Sequence, residues 1–311
     1  MRWTYNDILI ARDRLSGIAV RTPLLQLHES SSIWIKPEVL QPIGSFKIRG
    51  AYNAIAARIQ TGPLDEVTTL SAGNMSQAVA WSARRLGLRS TAIMPADAPE
   101  MKKSATRGYG ASIETIARSE IMTAMQDGRF NDRPGFIHPF NDPLVAAGNG
   151  TIGLEILEDL PDVDTVIVPV GGGGLVLGIA SAIKETHPNA QIFGVQPVGG
   201  SALAVSLAAG EPRSTPYETF VDGAGAPFVA ADAFPDFQRL LAGCLTVTDD
   251  QTKSALARLA TRNKLLTEGA GALAVAAALA LPEEQRGKTV CILSGGSIDP
   301  NLAADILRNY A

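Results

Sequence analysis

A lysine that is to work as an amine must sit where water does not solvate it freely, and one position in this sequence has that character. In "LQPIGSFKIRGAYNAI", residues 40–55, Lys47 follows Phe46 inside a Pro/Gly/Ser turn and precedes an Ala-rich helical pattern. Most lysines are solvated surface charges. One held in an apolar pocket has a lowered pKa and can form a Schiff base with a carbonyl or act as a general base. Three glycine-rich loops offer complementary groups. "VDTVIVPVGGGGLVLGIA" sets Gly171, Gly172, Gly173 and Gly174 between a buried strand and a helix beginning at Leu175. Successive small residues let backbone N–H groups converge, and a helix N-terminus adds partial positive charge, so this loop suits a phosphate. It lacks the Lys-Ser/Thr of a nucleotide P-loop and the spacing of a dinucleotide fingerprint. "LSGGSID" presents the Ser294 hydroxyl after an apolar strand. "SAGNMSQ" gathers Ser71, Asn74, Ser76 and Gln77 around a helix start, with Asn74 or Ser76 as its expected N-cap.

Any one of these loops has a purely structural explanation, as a packing turn or a cap. Their combination is more specific. A phosphate cradle, a strand-end hydroxyl and a buried lysine point to a phosphorylated carbonyl cofactor. Pyridoxal phosphate is the natural candidate, because a lysine binds its aldehyde while the protein holds its phosphate and ring nitrogen.

Such loops can meet only if strands end side by side, and the chain is organised that way. "EVTTLSA", "STAIMP", "ASIETI", "GFIHPF", "VDTVIVPV", "AQIFGVQP" and "KTVCILSGG" read as strands. Between them lie helical patterns, among them "MSQAVAWSARRLG", "PEMKKSATRGYG", residues near 118–128 and 143–158, "LVLGIASAIKETH", and "DDQTKSALARLATRN" capped by Asp249. This alternation predicts an α/β fold of open parallel sheets with helices on both faces. Ligands of such sheets bind beyond the carboxyl ends of the strands. Residues 65–140 form a compact set of strand–helix units, expected to be a small domain inserted into a large one made of 1–64 and 141–311, with a cleft between.

The 311 residues are 46% hydrophobic and 19% charged, enough for a sizeable core, and the net charge of −4 comes with no Lys/Arg block. Nucleic-acid and anionic-membrane binding therefore gain no support. The longest apolar stretch, "GAGALAVAAALAL", falls short of the roughly 18 residues that suggest a membrane span. The N-terminal segment is amphipathic rather than signal-like, so a cytoplasmic protein is expected. Cys244 and Cys291 are expected to be buried thiols, since no disulfide framework or zinc spacing is present.

With these motifs in this order, from "RTPLLQL" to "LSGGSID", the chain resembles the fold-type II pyridoxal-phosphate enzymes, whose architecture is that of the tryptophan synthase β-subunit. It is most similar to their threonine/serine dehydratase and serine racemase group. The resemblance implies Lys47 as the residue joined to the cofactor aldehyde, with Phe46 against the cofactor ring and Ser45 close to the substrate face. It implies Asn74 at the ring hydroxyl, Gly171–Gly174 and Leu175 at the phosphate, and Ser294 at the pyridine nitrogen. Ser71, Ala72, Gly73, Met75 and Gln77 would surround the substrate, and "VDG" and "EGAGA" bring Gly223 and Glu268 near. "HPF" also matches, which implies a structural role for His138. A hydroxyl at the ring nitrogen need not keep it protonated as a carboxylate would, a setting suited to elimination rather than transamination. The implied activity is that of an ammonia-lyase acting on a small-molecule β-hydroxy amino acid such as threonine or serine. Lys47 would remove the α-proton, the β-hydroxyl would leave, and a 2-oxo acid and ammonia would follow. By the same analogy the protein would be a homodimer.

Departures from the family pattern refine this. "SAGNMSQA" stands for the usual "SAGNHAQG", so Met75 and Ser76 are expected to reshape the substrate pocket, and "IKPE" differs from the usual "KREDL" or "KYE" beside the lysine motif. Serine racemases carry a serine just before the Gly-Asn as a second acid–base group; here Ala72 stands there and cannot transfer a proton. A dehydratase is thus preferred to a racemase. A non-catalytic binder of the same fold is the reading from another class. Racemase-like relatives bind a divalent cation through a glutamate after "GV", and here Gln196 replaces it, so no metal is expected. β-Replacement of the cysteine-synthase type is disfavoured by the absence of "SGNTG". The short stretch after "LSGGSID" gives no expectation of a feedback domain.

Overall fold

Strands covered by helices on both faces must be apolar at every position, and the central strands of this protein are buried throughout. The computed structural model describes residues 2–311. Its strands are β1 (Leu25–Gln26), β2 (Ile33–Pro37), β3 (Glu66–Leu70), β4 (Arg89–Pro95), β5 (Ser112–Ile116), β6 (Thr165–Pro169), β7 (Gln191–Pro197), β8 (Gly243–Val247) and β9 (Thr289–Leu293). They form a six-stranded sheet in the order β1-β2-β9-β6-β7-β8 and a three-stranded sheet in the order β3-β4-β5. All pairings are parallel except β1 with β2, which is antiparallel. Residues 27–32 between those two strands are too few for a helical crossover, so β1 can only fold back.

Period-2 alternation divides the large sheet's side chains between two cores. Val166, Val168, Val290 and Ile292 face one, packed with the helices Tyr5–Leu15, Pro143–Asp159 and Gly174–Thr186. Ile33, Ile35, Ile167, Cys291 and Leu293 face the other, packed with Asp249–Arg258, Gly269–Ala280 and Pro300–Tyr310. A third core joins Ile48, Ala51 and Ile55 of the helix Lys47–Thr61 to Val67 of β3 and to Val79 and Ala83 of the helix Asn74–Arg85. The helix bearing Lys47 therefore packs on the small sheet, while the residue before it, Phe46, is tied to Ser294 after β9. Among the described residues no helix is long and apolar enough to cross a membrane.

Three expectations change. "GFIHPF" makes only a single parallel bridge, Thr68 with Phe136, before it turns at His138. The helix Asp249–Arg258 is capped by Thr248, whose hydroxyl accepts from the Gln251 amide, and not by Asp249. The helix Asn74–Arg85 has no side-chain cap: its N-cap is Gly73, Asn74 is already helical, and the Ser76 hydroxyl donates to Gly73 O at 2.7 Å. Of the two thiols, Cys291 is buried and Cys244 half-buried, and both are free.

Candidate active site

Parallel register sets the carboxyl ends of three strands side by side: Pro37 pairs with Leu293, and Ile167 with Cys291. The loops that leave β2, β9 and β6 carry Lys47, Ser294 and Gly171–Gly174, and they must converge. They are tied directly, Phe46 N–H donating to Ser294 O at 3.0 Å and Gly296 N–H to Gly44 O at 2.9 Å. From the small sheet the end of β3 brings Ser71–Asn74. Between the sheets lies a cavity of about 630 Å³.

Lys47 is the first residue of its helix and is half-buried. Its amine donates to Pro139 O at 2.9 Å and lies 5.0 Å from the centroid of the Phe46 ring. Burial lowers its pKa to about 8, and the Glu268 charge works in the opposite direction. Glu268 is itself buried, which together with Asp222 raises its pKa to about 7, while the hydrogen bond from Asn74 lowers it. Asn74 Nδ2 donates to both Glu268 oxygens, at 2.9 and 3.2 Å, and Asn74 Oδ1 is buried without a partner among the described residues.

These two groups set opposite pH slopes on the stability of the apoprotein. Glu268 holds its proton more tightly folded than unfolded, so its contribution is complete below about pH 4.5 and is lost as pH rises through about 7. Lys47 releases its proton more readily when folded, so its contribution is present above about pH 10.5 and is lost as pH falls through about 8. Thermal melts across pH should lose the lower slope in Glu268→Gln and the upper slope in Lys47→Met.

The glycine loop opens the helix Gly174–Thr186, which has no side-chain cap, so its first amides are left for a ligand. Gly173 has φ +95°, and a Cβ there would lie 2.2 Å from the Phe237 ring. Gly173→Ala should therefore lower the unfolding free energy by about 1–3 kcal/mol, read from the denaturant midpoint, through strain and overpacking together.

Of the residues singled out in the sequence, Phe46, Lys47, Ser71, Ala72, Gly73, Asn74, Met75, Gln77, Gly171–Gly174, Leu175 and Ser294 line the cavity. Ser45 does not: it is fully buried behind the wall, its hydroxyl accepting from the Lys47 amide at 3.3 Å. Met75, although in the lining, is 2% exposed and packs in the core with Ile48 and Val79. The Ser76 hydroxyl, also buried, meets that of Thr106 at 2.9 Å. Gln196 acts as an internal clamp, its Oε1 accepting from the Leu203 and Ala204 amides and its Nε2 donating to Val170 O just before the glycine loop.

Some wall groups were not singled out in the sequence. Lys102 reaches across from the small-sheet side to Asp222 at 2.5 Å. The turn bearing Asp222 is held by Tyr217, whose hydroxyl donates to Val221 O at 2.5 Å. Burial, with Asp222 and Asp249 nearby, pushes the Tyr217 pKa up to about 12. Pro139 contributes a backbone carbonyl, which no residue pattern announces.

Residues 15–295 match the family model described as pyridoxal-phosphate dependent enzyme. The chain is 42% identical to an L-threonine ammonia-lyase of Geobacter sulfurreducens over 95% of its own length and 76% of that protein's. It is 39% identical to a catabolic L-threonine dehydratase of Escherichia coli K12, covering 97% and 95%. Among solved structures it is similar to the processed form of threonine deaminase isoform 2 from Solanum lycopersicum (TM-score 0.87, 33% identity, 98% and 92% covered). It is also similar to serine racemase from Dictyostelium discoideum (TM-score 0.86, 32% identity, 95% and 99% covered).

Proposed function

We propose a reaction for this chain from one premise: it belongs to the pyridoxal-phosphate dependent enzyme family. It is an ammonia-lyase that converts a β-hydroxy amino acid, L-threonine or L-serine, to a 2-oxo acid and ammonia. The observation that carries this reading is Lys47, an amine with a pKa near 8 set in one cavity with the glycine loop. The residues present fit the cofactor. Asn74 Oδ1 is buried without a partner among the described residues, and the helix Gly174–Thr186 opens on uncapped amides that suit a phosphate.

In this reading Lys47 would take the aldehyde, Phe46 would flank the ring, and Asn74 would meet the ring hydroxyl. The amides of Gly171–Gly174 and Leu175 would hold the phosphate, and Ser294 would meet the ring nitrogen. When bound, pyridoxal phosphate supplies an aldehyde that captures the substrate amine and a ring that withdraws electrons from the α-carbon. Ser71, Ala72, Gly73 and Gln77 would bind and orient the substrate carboxylate from the end of β3. Lys47 would carry the α-proton, a task for which a pKa lowered toward neutrality leaves a usable fraction of free amine. Met75 in the wall and Ser45 behind it would hold Asn74 and Lys47 in place from the buried side.

The same reading takes 65–140 as a small domain closing on a large one of 1–64 and 141–311, in a homodimer working in the cytoplasm. A turnover panel of β-hydroxy amino acids tests the reaction, with 2-oxo acid and ammonia expected in equal amounts. Enantiomer interconversion without net loss of amino acid would replace it with a racemase, against the expectation set by Ala72. Cofactor binding with no turnover of any member would leave a binding protein.

A further inference from the structure

The segment expected to be a strand, "GFIHPF", ends instead in a turn organised by one side chain. His138 Nδ1 accepts two backbone N–H groups, from Asn141 at 2.9 Å and from Phe140 at 3.4 Å. An acceptor nitrogen must be unprotonated, so these donors fix the neutral tautomer with the proton on Nε2. Burial favours the same state, lowering the His138 pKa to about 4; among nearby charges Asp142 and Asp232 oppose this, while Lys47 and Arg2 add to it. The ring is locked edge-on between Phe136 and Phe140, with centroids 6.2 and 4.7 Å away.

The turn touches both halves of the site. Pro139 O receives the Lys47 amine at 2.9 Å. The Phe140 ring occupies the space where a Gly172 Cβ would stand, 2.1 Å away, and its carbonyl lies 2.7 Å from a Gly174 Cβ position. A shift of the turn therefore moves the acceptor of the lysine and the wall of the glycine loop together.

We propose that His138 is a positioning residue for Lys47: its unprotonated Nδ1 folds residues 138–141 so that the Pro139 carbonyl receives the Lys47 amine and holds it facing the glycine loop. The proposal rests on the reading of Lys47 as the cofactor lysine. It goes beyond that reading in giving His138 a role in amine placement rather than in fold alone.

The test compares His138→Asn, whose amide oxygen can replace Nδ1 as acceptor, with His138→Phe, which keeps a ring and loses the acceptor. Two readouts are taken on the apoprotein: the acylation rate of Lys47 relative to exposed lysines, mapped by mass spectrometry, and the rate of covalent capture of added pyridoxal phosphate. In His138→Phe the Lys47 acylation rate should rise and the capture rate should fall, each by roughly tenfold, the scale of one lost hydrogen bond. His138→Asn should stay within about twofold of the parent on both. Should His138→Phe not fold, His138→Gln, whose amide reaches the Nε2 position, is the second acceptor-deficient variant, with the same expected result. Equal behaviour of the acceptor-keeping and acceptor-deficient variants, or unchanged Lys47 reactivity in all, would overturn the proposal. Failure of the cofactor-lysine reading has another signature, covalent capture of pyridoxal phosphate by Lys47→Ala.

Discussion

Lys47→Ala should abolish covalent capture of pyridoxal phosphate and lower ammonia release from L-threonine by at least about 10³-fold. A positioned general base alone accounts for about 10²–10⁴ in rate, and in the proposed reaction this amine would both hold the cofactor and carry the α-proton. No neighbour can take over. Glu268 hydrogen-bonds to Asn74 and carries a raised pKa near 7, and Lys102 is committed to Asp222 at 2.5 Å. Borohydride treatment followed by peptide mapping should find the cofactor on Lys47 in the parent and on no peptide of the variant. The loss should not be a loss of fold. Lys47 is held in surroundings that lower its pKa from 10.5 to about 8, so at pH 7 the folded protein bears the cost of an unfavourably placed charge. The apo form of Lys47→Met, which keeps the stem, should melt no lower than the parent at that pH. Ammonia release within tenfold of the parent would remove Lys47 from its proposed role.

That this lysine would lie at a turn opening a helix, on the cavity wall, was legible because its neighbours are local: a turn before it, a helix after it. The same holds for the glycine loop, Asn74 and Ser294, each at a strand end marked by an apolar run. The central strands were legible for a related reason, since "TVIVP" and "TVCIL" are buried at every residue. What could not be read depends on partners distant in the chain. The Asp222–Lys102 contact spans 120 residues, and Pro139 acts through a backbone atom. Met75 lines the cavity, but it is also a core residue. With Ala78, Val79 and Ala83 it makes an apolar face at helical spacing, the mark of a core position, and the structure buries all four. "SSIWIKPEVL" concealed β2 because two charges and a proline interrupt it, and Lys36 finds its carboxylate only at Glu155.

Those charges carry the largest stability effect expected outside the site. Lys36 and Glu38 are fully buried and Arg49 is 1% exposed. Arg49 grips both Glu38 oxygens, Nε to Oε2 at 2.8 Å and Nη2 to Oε1 at 2.9 Å, and reaches Glu155 at 2.6 Å. Lys36 donates to Glu155 at 2.7 Å and to Thr22 O at 2.6 Å. Thr22 and Gln41 supply the remaining donors to Glu38. Burial disfavours the Arg49 charge, but Glu38 and Glu155 more than offset it and hold its pKa above the ordinary value. Lys36 also lies 3.9 Å from Asp159, so two buried cations face three carboxylates, and the group is stable only as a set. Removing one member leaves an unpaired buried charge, which costs about 3–5 kcal/mol, a large share of the roughly 5–15 kcal/mol that holds a domain folded. Arg49→Ala and Glu38→Ala should each shift the urea midpoint accordingly, whereas Arg308→Ala, which breaks an exposed pair with Asp305, should not move it detectably. Arg49→Lys should not rescue, because a single ammonium cannot serve both oxygens of Glu38 and also Glu155. Midpoints for Arg49→Ala and Glu38→Ala matching that of Arg308→Ala would show that water reaches the network. Arg49 lies half a helical turn beyond Lys47, so the set that stabilises the fold also fixes the helix start from which the amine projects.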